Sequence, residues 1–210
     1  MNYGQLREQF EGLLKRRDMT PSQSETFLQQ AVSRVQRVLR IPPMEKSVSV
    51  TYDGVTYQDG EIPIPNDYLR MIALTVTTPS GHERVLRLKD LQTVLDLARS
   101  SDDCPSAYVR RGGLWKVGPT PAAGTVFRID YYDEFPSLAD PTDSGYLTTG
   151  PTDLVIYAAL SYAADWFVDK RAPAWEARFQ SILAEVQNQA DQDALINAEV
   201  SPAYHFPDFY

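Results

Sequence analysis

Catalysis requires a nucleophile, an acid–base group or a bound metal, and this 210-residue chain holds two histidines and one cysteine. His82 stands beside the turn glycine Gly81, and His205 lies in a proline-broken C-terminal stretch. Cys104 falls in Asp102-Asp103-Cys104-Pro105, with no histidine nearby in sequence to generate its thiolate. There is no G-x-S-x-G, no H-E-x-x-H and no phosphate-cradling glycine loop; Gly112-Gly113 reads as a hairpin turn. Asp165 and Asp169 sit one helical turn apart, after Asp153 on the same stretch. Paired carboxylates can hold a divalent cation or serve a hydrolase. The simpler reading gives an otherwise apolar helix one wet edge, with Asp169 pairing with Lys170 or Arg171. No catalytic, cofactor-binding or metal-binding residue is assigned, and the chain is expected not to be an enzyme.

Two other groups suit contact rather than chemistry. Arg34, Arg37 and Arg40 recur every three residues, opposite an apolar stripe of Leu28, Val35 and Leu39. They are expected to touch phosphate or an acidic partner surface rather than their own core; a solvated basic face is the alternative. Tyr204, Phe206, Phe209 and Tyr210 place four aromatic rings within seven residues, between and after Pro202 and Pro207. Such a segment left in water is a liability, whereas docked in a groove its rings would dominate the contact. These four residues are therefore expected to bind a partner, with packing onto the chain's own helices as the alternative.

The elements that must position these groups fall into three blocks. Leu6, Phe10, Leu13 and Leu14 make one stripe over residues 3–17. Thr20 then serves as an N-cap, with Pro21 at the first helical position, for a second helix reaching about Arg40 before Pro42-Pro43. From Lys46 the period changes to two. Val48, Val50 and Tyr52 alternate with polar residues up to Asp53-Gly54, then Val55 and Tyr57 resume, which predicts a hairpin. Further strands are predicted over 71–78, 85–88, 107–111, 114–117 and 125–132, with a short helix over 89–98. Residues 135–152 carry three prolines and two glycines and read as a long loop. Residues 153–168 are apolar on nearly every side, which demands burial all round, by neighbouring helices or by another subunit. Residues 173–190 form a helix with a single stripe of Trp175, Phe179, Ile182, Val186 and Ala190.

The expected fold class is α+β. Residues 1–45 and 151–195 make a helical bundle, 46–150 a β-rich insert with one short helix, of sandwich or barrel type, and 196–210 an extended aromatic arm. A hydrophobic fraction of 43% excludes global disorder. No apolar run approaches the roughly 18 residues of a membrane span, and the polar start is not that of a signal peptide. The net charge of −8 argues against a dedicated DNA-binding domain. That charge is polarised: residues 1–46 carry a net +3, 47–129 balance, and 130–210 carry −11. Such a distribution suits a subunit whose two ends meet different neighbours.

A family resemblance rests on an ordered set of segments. They are Ile62-Pro63-Ile64-Pro65-Asn66-Asp67-Tyr68-Leu69, Leu114-Trp115-Lys116-Val117 with Pro119-Thr120-Pro121, Ile129-Asp130-Tyr131-Tyr132, and Pro151-Thr152-Asp153-Leu154 opening the apolar helix, with Trp175 beginning the next. Over about residues 60–190 this order resembles the head-to-tail adaptor (connector) family of short-tailed bacteriophages. The resemblance implies a helical bundle with a β-rich insert, assembled as a ring, commonly of twelve, beneath the portal. It implies portal protein, tail nozzle protein and further copies of the chain as partners. DNA would pass through the channel without sequence-specific binding. The expected location is the virion neck, after assembly in the host cytoplasm, with no membrane and no cofactor. Another tail component, such as a nozzle or baseplate subunit, and a carboxylate-based hydrolase are the alternatives.

Overall fold

The computed structural model describes residues 1–100, 102 and 104–196. In chain order the elements are α1 (Tyr3–Leu14), α2 (Pro21–Val38), β1 (Glu45–Thr51), β2 (Glu61–Pro63), β3 (Tyr68–Thr77), β4 (Glu83–Val85), β5 (Arg87–Leu88), α3 (Leu91–Ala98), β6 (Ala107–Arg111), β7 (Leu114–Gly118), β8 (Val126–Asp133), α4 (Tyr146–Thr149), α5 (Thr152–Trp166) and α6 (Ala172–Ile196). The fold is α+β. Two compact units divide it: Met1–Pro42 with the chain from Ser137 onward, and Pro43–Pro136.

The helical unit is organised around α5, against which α1, α2, α4 and α6 pack. Leu154, Val155, Ala158, Ala159, Leu160, Ala163 and Ala164 are fully buried by the chain's own helices, so α5 is the central helix of this unit, while Trp166 at its C-terminal end stands 66% exposed. Leu6, Phe10 and Leu14 of α1, and Leu28, Ala31 and Val35 of α2, bury the predicted stripes. Both helices start on reciprocal capping boxes, Asn2 with Gln5 and Thr20 with Gln23, which satisfy N–H groups that the first turn leaves orphaned.

The second unit is two four-stranded sheets, ordered β1-β8-β3-β4 and β2-β7-β6-β5. Leu74, Val76, Phe127 and Ile129 from the first sheet, and Ile62, Trp115 and Val117 from the second, bury into one apolar cluster. The β6–β7 hairpin turns at Gly112, whose φ of +62° is a conformation glycine adopts without strain. Helix α3 packs on β6 and β7. It comes so close that a Cβ at Gly118 would stand 2.6 Å from the Val94 carbonyl oxygen.

The structure departs from the sequence reading most at two places; β2 is also not among the predicted strands, and the strand predicted over 85–88 is split between β4 of one sheet and β5 of the other. Asp53-Gly54 does not close a hairpin: β1 pairs antiparallel with β8, Val48 opposite Ile129. The Asp53 carboxylate instead accepts from the Val55 and Thr56 N–H groups at 2.9 Å and from the Thr56 hydroxyl, folding the segment into a local Asx-type loop. Residues 137–150, read as the end of the insert, belong to the helical unit and include the short α4. The Tyr3 and Gly4 N–H groups of α1 donate to the Asp143 and Pro141 carbonyls at 2.8 and 2.9 Å. Backbone bonds that proline and glycine content does not advertise thus tie this segment down.

Candidate functional site

Arg34 and Arg37 on α2, and Arg40 just beyond its C-terminal cap, have three different environments. Arg34 forks onto Glu176 of α6 with hydrogen bonds of 2.8 and 2.5 Å, and its guanidinium lies 4.1 Å from the Phe179 ring centre. Glu176 also accepts from the Ser161 hydroxyl of α5 at 2.6 Å and from Gln180 at 2.8 Å. The Arg34 bonds, aided by those from Gln180 and Ser161, hold the Glu176 carboxyl down at about 2. Arg34 is therefore a clamp joining three helices of its own chain and does not present itself outward. The reason is local: one aromatic face and one carboxylate offer a bidentate, partly sheltered partner. Arg40 curls back to donate to the Gln36 carbonyl at 2.8 Å and to that of Leu39, satisfying orphaned carbonyls at the end of α2. Its own N–H and C=O bracket the Gln187 amide at 2.9 and 2.8 Å. Arg37 is exposed, and its guanidinium makes no ion pair among the described residues.

The acidic trio is not brought together as a metal site, and no group of three or more metal-ligating side chains occurs among the described residues. Asp169 pairs with Arg171 at 2.8 Å, and that partner holds it down at about 2. Arg171 also donates to the Leu14 carbonyl at 3.0 Å, closing the C-terminal end of α1. Asp165 is exposed and, with Gln23, Phe27, Tyr162 and Trp166, lines a cavity of about 380 Å³ between α2 and α5. His82 is exposed in the turn after Pro79, and Cys104 is a free, half-buried thiol. Tyr204, Phe206, Phe209, Tyr210 and His205 lie outside the described residues.

Sequence reasoning missed a polar network in the β unit. The Tyr131 hydroxyl donates to Asp67 Oδ1 at 2.7 Å. Lys46 Nζ donates to Asp67 Oδ2 and stands 3.8 Å from Asp133. Lys46 first, and the Tyr131 hydroxyl after it, push the Asp67 carboxyl below its usual range, whereas burial pushes Asp133 up. Burial and the Asp67 hydrogen bond raise Tyr131, so it stays a neutral donor. Tyr68 stacks edge-on against Trp115, centroids 5.1 Å apart, and tilts over Tyr131 at 5.8 Å. Asp67 and Tyr68 belong to the proline-rich segment that carries the family resemblance. Its Asp therefore ties β1, β3 and β8 together at one end of their sheet. The available signal was an Asp placed next to a buried-type Tyr directly after Pro65-Asn66.

What the geometry supplies is rigid scaffolding with an exposed cation on α2. No curated protein matches the chain. Among solved structures, one chain from the neck of an empty GTA particle computed with C6 symmetry is 12% identical, covering 78% of this chain and 80% of that one at a TM-score of 0.26. The model of the SU10 adaptor protein family matches residues 1–202. The resemblance to phage adaptors seen in the ordered motifs is thereby borne out, and the chain belongs to the SU10 adaptor protein family.

Proposed function

We propose that this adaptor is a structural subunit of the phage neck. It closes into a ring, commonly of twelve, joins the portal protein to the tail nozzle and lines the channel through which DNA leaves the head. The observation that carries this reading is the family match across residues 1–202, which takes in both compact units rather than one borrowed module. The charge polarity supports it. A chain with net +3 in its first 46 residues and −11 from residue 130 onward has unlike surfaces to offer successive partners, and its overall −8 would let DNA slide without sticking. Within this reading Arg37 is the α2 cation left to meet DNA or an acidic partner. Tyr204, Phe206, Phe209 and Tyr210 would anchor the C-terminal arm on the portal or an adjacent subunit. The role is one of assembly rather than catalysis, in the virion neck, reached from the host cytoplasm.

The test is direct: the chain is mixed with the portal protein of the same phage and imaged in negative stain. Rings stacked on the portal are expected. Particles in which the portal stays bare at saturating concentrations of this chain would reject the assignment.

A further inference from the structure

The β unit carries three cations that have no ion-pair partner among the described residues. Arg84, Arg87 and Lys89 line one cavity of about 410 Å³ beside Val85, Leu97 and Ser106. All three are exposed, and their side chains form no ion pair or hydrogen bond among the described residues. The anions nearest in sequence are spoken for. Glu83 lies 3.9 Å from Arg128, Asp96 pairs with Arg99 at 3.6 Å, and the Asp90 carboxylate caps α3 through the Thr93 N–H and hydroxyl. The cavity opens where two sheet edges follow one another along the chain, β4 closing one sheet and β5 the other. Val85 and Leu88 stand 60% and 66% exposed there. Unpaired strand edges carrying apolar side chains are what one chain offers another to cover.

The opposite inventory stands at the far end of the sequence. After Arg178 the chain holds five carboxylates and no lysine or arginine. Glu185, Asp191 and Asp193 on the last turns of α6 are exposed, and the two that are bonded have neutral partners, Ser181 and Gln187. Three cations and three carboxylates that lack an ion-pair partner among the described residues make complementary surfaces, and such pairing fixes register and partner choice. We infer that the Arg84–Arg87–Lys89 groove receives the acidic C-terminal half of α6 from a second copy of this chain, forming the contact that propagates from subunit to subunit. This inference rests on the ring reading proposed above. A head-to-tail contact between two different patches closes into a ring when the rotation between copies allows it.

Two full-length variants test it on the cognate portal. One reverses the groove (Arg84→Glu, Arg87→Glu, Lys89→Glu); the other reverses the helix (Glu185→Lys, Asp191→Lys, Asp193→Lys). All six positions are exposed, and circular dichroism checks that each variant folds. Each alone juxtaposes like charges, so association measured by sedimentation should weaken by at least about tenfold. An equimolar mixture offers opposite charges at every contact and should restore rings alternating between the two chains. Wild-type association should also fall between about 50 mM and about 500 mM salt, as screened ion pairs do. Wild-type rings with variants that assemble equally well would overturn this inference and leave the ring reading intact. A wild-type chain that forms no ring with its portal would overturn both. Groove variants that lose DNA or heparin binding but still assemble would overturn it in favour of a nucleic-acid surface.

Discussion

Tyr131 and Asp67 lie 64 residues apart and share a hydrogen bond of 2.7 Å, with Lys46 Nζ on the other carboxylate oxygen. One carboxylate thus receives a donor from β8 and another from β1 at the very start of β3. Tyr131 is fully buried, so its hydroxyl has little alternative but Asp67. Tyr131→Phe keeps the ring and removes the donor, and should lower unfolding stability by about 1–3 kcal/mol. Urea denaturation monitored by tryptophan fluorescence reads the loss; an unchanged midpoint would remove the bond from the account of this motif.

Glu176 gives a pH signature. Its folded value of about 2 lies below its usual 4.5, so its contribution is complete above about pH 4.5 and disappears as pH falls towards 2. The carboxylate side chain is 38% exposed, and solvent screening reduces what that shift contributes to about 1–2 kcal/mol. Glu176→Gln should cost that amount at pH 7 and almost nothing at pH 2. A deficit that persists undiminished in acid would assign the loss to packing instead of charge.

Leu160 is fully buried at the middle of α5. Leu160→Ala should cost about 2–5 kcal/mol through the cavity it leaves. Thermal unfolding of the isolated chain suffices for the measurement, because the helix is covered by its own chain. A shift of less than about 1 kcal/mol would mean that the neighbouring helices collapse into the gap.

Arg37→Glu should leave the thermal midpoint unchanged, since the side chain is exposed and makes no ion pair among the described residues. Binding to the portal or retention of packaged DNA should weaken several-fold, chiefly through slower association, with the effect shrinking as salt rises. Full particle yield and infectivity would return Arg37 to ordinary solvated surface.

Truncation after Val200 removes the aromatic arm and none of the described elements. The shortened chain should fold normally and fail to join the portal. Normal assembly by the truncated chain defeats the anchoring role of Tyr204, Phe206, Phe209 and Tyr210.

Local rules carried the reading wherever the partner of a residue was close in sequence. Thr20-Pro21 set the start of α2, Gly112-Gly113 the β6–β7 turn, and the all-round apolarity of residues 153–168 identified the central helix. Reading failed where a distant partner decided. Asp53-Gly54 has every local mark of a hairpin, yet β1 finds β8, with Val48 opposite Ile129, a pairing that packs the half-buried Val48 and Val50 against the shared core. Arg34 matches Arg37 in spacing and differs from it only because Glu176, 142 residues later, stands opposite one and not the other. Periodicity locates a face but not what comes to lie on it. Asp67 was legible as part of a family segment, while its bonds to Lys46 and Tyr131 required the sheet to be known.

The split of the helical unit by the β unit orders events during synthesis. Helices α1 and α2 leave the ribosome with Leu6, Phe10, Leu28 and Val35 unsheltered, because α5, on which they pack, is encoded after the whole of Pro43–Pro136. The β unit contains all eight strands of the described residues, and its sequence is complete before α5 is made. The nascent chain therefore carries the apolar faces of α1 and α2 through the whole synthesis of the β unit before the helix they pack on exists, and apolar surface exposed in this way favours aggregation. Delivery of residues 152–166 ends that period at a stroke, making α5 the segment on whose arrival the solubility of the newborn subunit depends.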